Sequence, residues 1–371
     1  MKLKIKPVSV DEADPFLHDA LNREECAEIL TQLISNIEDP SVISIDAPWG
    51  HGKTTFMNML RQYLINNGFT TLHFNAWEND IVDDALATLI GEIGINLNEL
   101  EIEKKKKTKA KKVFSSMKKV GTYLLKRSIP LAVHLGTAGT IDADEVYEKA
   151  ISEFTEEIAE DLLENYEKSK ANFNSFKESL SEFVEIIRED NNKPVVFFID
   201  ELDRCRPTFA IELLEKAKHL FSVPGFVFVI AIDKEQIGHS IRSVYGQDMD
   251  VDGYLRRFID FDYSLPEPDN LEFAKYLFNK FEFTDYFTNR RAVDNEYAAQ
   301  TIVEMFGDLS SIFHLSLRTQ EQCFSNLTIA LLTTPSMIEI HSHLLIFLLV
   351  LKLYCTPFVK PDLRWNYENI N

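Results

Sequence analysis

The sequence predicts an α/β fold: a mainly parallel sheet covered by helices, with an inserted basic helical arm and a helical C-terminal region. Three observations carry that prediction. Pro194–Ile199 (PVVFFI) and Phe226–Ile232 (FVFVIAI) are uninterrupted apolar runs of strand length, the pattern of strands buried on both faces. Helix-like segments separate such runs, which leaves room for the crossovers that parallel strands need. From Leu271 onward the apolar spacing is mostly helical.

Taken in order, Glu24–Ile37 has apolar residues at 26, 27, 29, 30, 33, 34 and 37, one stripe of a helix. Val42–Ile45 is a short β-branched strand that leads into a Gly-bearing turn and then a helix from Thr55 to Leu64. Thr70–Phe74 (TTLHF) is a second strand. Leu344–Leu351 (LLIFLLVL) is apolar all round, which predicts a buried helix or a subunit interface.

The chain has 371 residues, enough for two or three domains or one large domain with elaborations. Its 45% apolar content excludes disorder as the dominant state. A net charge of −20 argues against a protein that coats nucleic acid over its whole surface. That charge is unevenly spread. Lys104 to Arg127 holds eleven Lys and Arg and no acid, and removing those eleven charges from −20 leaves −31 for the rest.

Cys26, Cys205, Cys323 and Cys355 lie far apart with no CxxC pair, which predicts reduced structural thiols in a cytoplasmic protein. The N-terminal segment lacks a continuous apolar core, so no signal peptide is expected. No uncharged apolar run reaches the roughly 18 to 20 residues that cross a bilayer. Ser128–Ile141, diluted by His, Gly and Thr, and Leu344–Leu351 come nearest, so no transmembrane span is expected.

The first strand runs into Ala47-Pro48-Trp49-Gly50-His51-Gly52-Lys53-Thr54-Thr55. This is a Walker A loop, GxxxxGK[ST], with Ala in place of the first Gly. Gly50 and Gly52 permit the backbone turns that aim successive N–H groups at an anion. Lys53 is placed to reach the β- and γ-phosphates, and Thr54 to offer its hydroxyl to Mg²⁺. The helix that follows presents its positive end to the same phosphates. The partner motif is Val195-Val196-Phe197-Phe198-Ile199-Asp200-Glu201, an apolar strand ending in two acids. Asp200 is the candidate for the Mg²⁺ shell, and Glu201 for orienting or deprotonating the attacking water.

Asp200-Glu201-Leu202-Asp203-Arg204-Cys205-Arg206-Pro207 resembles the extended Walker B of the KAP family of P-loop NTPases, usually DDLDRC. Trp49–Thr55 is similar to that family's WGxGKT, and Phe74-Asn75-Ala76-Trp77 to its FNxW. Ala231-Ile232-Asp233 and Tyr254-Leu255-Arg256-Arg257-Phe258 resemble its AxD and YLxKF blocks, and Asp19–Arg23 its motif ahead of the first helix. The ordered set covers roughly residues 19–265. It implies a P-loop fold that binds and hydrolyses ATP with Mg²⁺, acting as a conformational switch, in a bacterial setting such as phage exclusion and defence. It also implies that Arg23 lies near the nucleotide base. Glu201 departs from the commoner Asp. Many relatives insert transmembrane helices between the Walker motifs; here Leu97–Thr140 stands there, with the basic run and no convincing span.

The expected organisation is an extension over 1–18, the P-loop domain over 19–265 with the insertion at 97–140, and a helical region over 266–371. Several residues have two readings. Asp233 is either a sensor of the γ-phosphate or the N-cap of the next helix. Arg256 and Arg257, expected on a helix, are either surface cations or groups that reach a neighbouring protomer's phosphate. Arg318 resembles a second-sensor arginine that couples nucleotide to lid position. Asp203 and Arg204 are placed to pair with each other or with loops around the phosphate. Trp77 reads as a core anchor rather than a base stacker.

The basic run has three readings. One is a solvated arm. The second is a membrane-surface helix with Val113, Met117, Val120 and Leu124 on one face, which would place the protein peripherally at the inner membrane. The third is a nucleic-acid contact, with only Phe114 and Tyr123 as aromatics. Protein partners or homo-oligomers are expected beside the nucleotide. The alternative to an ATPase is a low-turnover, nucleotide-dependent scaffold that binds membrane or DNA through this arm. A small-molecule kinase is disfavoured, because no short Arg-rich lid is recognisable.

Overall fold

The computed structural model describes residues 1–81, 85–99, 106–113, 115, 174–175, 177–189, 192–217, 222–289, 295–335 and 341–354. The chain divides into two compact units. One comprises Met1–Ala27, Ala47–Leu60 and Ser264–Asn371, the other Glu28–Asp46 and Arg61–Tyr263.

The second unit holds the sheet. Its strands are β1 (Ser41–Asp46), β2 (Thr71–Asn75), β3 (Val195–Asp200), β4 (Phe226–Ile232) and β5 (Phe261–Ser264), in the order β2-β3-β4-β1-β5. β2 pairs with β3, β3 with β4 and β4 with β1, all parallel. The four strands read from the sequence are all present, each shifted by a residue or less at its ends. β3 and β4 are buried along their whole length. Phe197 and Phe228 meet at 5.6 Å between ring centroids, inside a core that includes Phe74, Phe183 and Phe209.

Helices of this unit complete the core. In chain order the helices are α1 (Glu24–Ser35) and α2 (Lys53–Asn66), whose residues are divided between the two units, then the short α3 (Ala76–Asn79) and α4 (Ala85–Glu99) of the second. From α4, Asn96 reaches the main chain of the edge strand β2. Its Oδ1 accepts from His73 N–H at 2.8 Å, and its Nδ2 donates to the His73 carbonyl at 2.9 Å. Further along come α5 (Pro207–Ala217), α6 (Lys234–Tyr245) and α7 (Val251–Leu255).

Of the basic run, residues 106–113 are described, and there Lys109, Lys111 and Lys112 are exposed as a solvated face would be while Lys106 is buried. Residues 106–113 are helical; Lys106 and Ala110 are buried, and Val113 packs on the main core. The Lys106 and Lys109 ammonium groups lie 4.0 Å and 3.5 Å from the Glu189 carboxylate. The aliphatic stems of lysine make such burial feasible when the head meets a carboxylate. Phe114, Met117 to Arg127, Ser128–Ile141 and Cys355 lie outside the described residues.

The first unit is helical after β5: α8 (Asn270–Lys280), α9 (Phe283–Asn289), α10 (Asn295–Ile312), α11 (Leu317–Thr333) and α12 (Ser342–Tyr354). They close over Phe281, Phe283, Phe306 and Phe324, with Phe306 edge-on to Phe324 at 4.9 Å. This segment reads as a buried helix or a subunit interface, and the described residues cover α12 along one side only. Ile346 and Val350 are buried, but Leu344 is 56% exposed and Phe347 and Leu348 about 40%. Packing contacts reach one side of it, from α10 and α11. No helix among the described residues is long and apolar enough to cross a membrane. Cys26, Cys205 and Cys323 are free and buried, as the spacing predicted.

Phe197 is 1% exposed. Phe197→Ala is expected to cost roughly 3 to 5 kcal/mol. A lower urea midpoint with an unchanged slope measures it.

Candidate functional site

Within the first unit, the loop after β1 takes the form its glycines permit. Gly50 and Gly52 have φ of +79° and +80°, conformations that side chains rarely adopt. A Cβ on Gly50 would also lie 2.9 Å from Ser316 Oγ. Ala47, where the motif usually has Gly, is not at positive φ, so its Cβ brings no backbone strain. The Gly52 carbonyl accepts from Phe56 N–H at 3.0 Å, which opens the helical ladder of α2. Lys53, the first residue of α2, is buried, and its ammonium donates to the Ala47 carbonyl. Thr54 and Thr55 are half-buried, and Trp49 is 48% exposed.

Two other segments of this unit hold the loop. Asp19 accepts the N–H groups of Leu21 and Arg23, which fixes the turn before α1. Arg23, 3% exposed, then donates from Nη1 to the His51 carbonyl at 3.0 Å and from Nη2 to the Pro266 carbonyl at 3.5 Å. From the other segment, Ser316 caps α11, and the N–H of Arg318 donates to the Gly50 carbonyl at 3.4 Å. The Arg318 side chain is exposed. The sequence carried no signal for the Ser316 contact, because it depends on where α11 begins.

In the second unit, β1, β3 and β4 run parallel, so their carboxyl ends share one edge of the sheet. Asp46 and Asp200 close β1 and β3 there, and Asp233 follows β4. Asp200 is 2% exposed and accepts the Glu201 N–H at 2.7 Å. Asp233 is buried and caps α6, its Oδ1 accepting from Glu235 and Gln236, each at 3.1 Å. Next to it, Lys234 N–H donates to Asp46 at 3.1 Å, which joins the ends of β1 and β4.

Glu201 leaves the strand in the left-handed region, φ 60°. Its Oε1 pairs with Arg204 and its Oε2 accepts from Asn75 Nδ2 at 3.3 Å. Asn75 Oδ1 meanwhile caps α3 through the N–H groups of Trp77 and Glu78. Arg204 therefore does not take Asp203 as its partner; Asp203 is buried. The Arg204 guanidinium lies 5.6 Å from the centre of the Trp77 ring. Trp77 is 52% exposed, which corrects its reading as a core anchor. Two residues on, Arg206 binds Asp80 through its backbone N–H at 2.7 Å, Nε at 2.9 Å and Nη2 to the Asp80 carbonyl at 2.6 Å. Burial pushes the Cys205 thiol far up, and it points at the Glu201 carbonyl, 3.6 Å away.

Arg256 and Arg257 lie at the end of the expected helix and just past it. Arg256 ends α7 as its C-cap, and Arg257 lies in the following turn; both are exposed. Among the described residues, no three or more His, Cys, Asp or Glu side chains are grouped to hold a metal ion.

Comparison with known proteins gives one family match. The sequence model described as "KAP family P-loop domain" matches residues 23–329. No curated protein matches the sequence. Similar solved structures include the Aeropyrum pernix ORC2 protein in ADPNP–ADP complexes and Caenorhabditis elegans PCH-2. The first has 13% identity and a TM-score of 0.41, over 89% of this chain and 68% of that one. The second has 13% identity and a TM-score of 0.38, over 93% of this chain and 73% of that one.

The capping contacts of Asp233 yield a stability expectation independent of any nucleotide. Asp233→Ala should cost about 1 kcal/mol and Asp233→Asn much less, read as shifts in thermal unfolding.

Proposed function

This chain belongs to the KAP family of P-loop domains, and we propose that it binds ATP with Mg²⁺ and hydrolyses it as a conformational switch. The observation that carries the reading is the loop of Gly50 and Gly52, both at φ near +80°, feeding a helix that opens on buried Lys53. Such a loop turns backbone N–H groups toward an anion, and a 14-residue helix adds its positive end.

The residues fit the group. Asp200 and Thr54 are hard oxygen donors, and Mg²⁺ takes one or two such protein ligands while keeping phosphate oxygens and water. When bound, Mg²⁺ neutralises charge on the phosphates. Lys53 and the loop N–H groups hold the β- and γ-phosphates, and Glu201 orients the water that attacks the γ-phosphorus. Asp233 is the polar residue proposed to sense the γ-phosphate in addition to capping α6. Arg256 and Arg257 are exposed, as a cation must be to act on a neighbouring copy.

The switch reading has its support inside one unit. The backbone of Arg318 bonds the carbonyl of Gly50, and Arg23 bonds the carbonyl of His51. A change in loop conformation on nucleotide binding would be felt at the start of α11 and ahead of α1. On this reading residues 19–265 carry the chemistry and 266–371 the response.

Phosphate release and ATP affinity, measured for wild type, Lys53→Ala and Glu201→Gln, test the proposal. Lys53→Ala is expected to weaken ATP binding and lower turnover at least about a hundredfold. Glu201→Gln is expected to keep ATP affinity and lose turnover by about a hundredfold or more. Wild-type turnover in Lys53→Ala would sink the reading.

A further inference from the structure

Three cross-links join residues 75–80 to residues 201–206: Asn75 to Glu201, Trp77 to Arg204, and Asp80 to Arg206. Their common origin is the pairing of β2 with β3, which sets Asn75 opposite Asp200. Beyond that pair both chains leave the sheet together, one into α3 and one into the 3₁₀ turn Leu202–Arg204. The middle cross-link stands out chemically. Trp77 keeps half its surface in water, an unfavourable place for an indole unless its face has work. That face carries the guanidinium that grips Glu201.

We infer that Arg204, seated on Trp77, is a positioning residue for the Glu201 carboxylate, and that the two act as one device. The inference rests on the proposed role of Glu201 and adds to it. Glu201 has left-handed backbone geometry, so its side chain points where the strand alone would not send it. The turn then closes through Arg204 N–H to the Glu201 carbonyl at 3.1 Å, which brings the guanidinium of residue i+3 over the carboxylate. One carboxylate oxygen is held by Arg204 and the other by Asn75. Two-point restraint fixes the plane of the group, and each oxygen keeps a second lone pair for a water molecule. The Glu201 side chain is only 11% exposed, so this pair is less screened than a surface ion pair, whose worth is small. An aromatic face beneath the guanidinium removes the freedom a long side chain would otherwise retain.

The test compares turnover and ATP affinity across Arg204→Ala, Arg204→Gln, Arg204→Lys, Trp77→Ala and Trp77→Ala/Arg204→Ala, with Glu201→Gln alongside and thermal unfolding as a check on folding. Arg204→Ala and Arg204→Gln are expected to lower turnover about ten- to a hundredfold, with ATP affinity within about twofold. Arg204→Lys should recover part of the loss. Trp77→Ala should lower turnover less, and the double variant should be no slower than Arg204→Ala, because the tryptophan acts through the arginine. Wild-type or faster turnover in Arg204→Gln while Glu201→Gln is inactive overturns the inference and leaves the role of Glu201 standing. Additive losses in the double variant overturn the link to Trp77. Full activity in Glu201→Gln removes the role of Glu201 and the inference with it. Should Arg204→Ala melt near the assay temperature, Arg204→Gln, which keeps most of the stem, and Arg204→Lys decide.

Discussion

Burial of β3 and β4 on both faces constrains the rest of the sheet unit. Strands with no solvent face cannot carry a polar side chain along their length without leaving it unpaired, so charge is displaced to their ends. Asp200 is the last residue of β3 and Asp233 the first after β4, and both remain buried because main-chain N–H groups meet their carboxylates. Parallel pairing then gathers those ends on one edge. The clustering of these acids at one edge is a consequence of how the sheet excludes water.

The loop after β1 answers to another constraint, backbone conformation. Two glycines at positive φ are required by the turn, and at Gly50 the neighbouring Ser316 leaves no room for a side chain either. One residue thus serves the shape of the loop and its contact with the start of α11. Ala47 can stand where the motif usually has glycine because no left-handed turn is needed there.

Much of this was legible in the sequence, for identifiable reasons. Apolar runs free of charge located β3 and β4 nearly to the residue, since fully buried strands leave a plain signature. The phosphate loop was legible because its spacing is dictated by backbone geometry. Trp77 was not, because a tryptophan is read as core by default, and its exposure makes sense only with Arg204 over it, far along the chain. The exposed face of α12 was equally hidden: a helix apolar on every side offers no periodicity to say which side is covered. Lys106 sits in a run of lysines that reads as solvated, and its burial follows from Ala110 and Val113 on the same helix face. The pairing of Arg204 with Glu201 instead of Asp203 depended on one left-handed residue, and nothing in a glutamate announces that.

Among the described residues β2 ends the sheet, and an open strand edge invites pairing with a second chain. At His73 both main-chain groups are already engaged by the carboxamide of Asn96, which imitates a neighbouring strand. A foreign strand docking there must first expel that amide, and α4 is anchored in the core by Leu89, Ile90 and Ile93. At that residue the strand's outer hydrogen-bonding groups are spent inside the chain, so the edge offers a partner strand two fewer bonds.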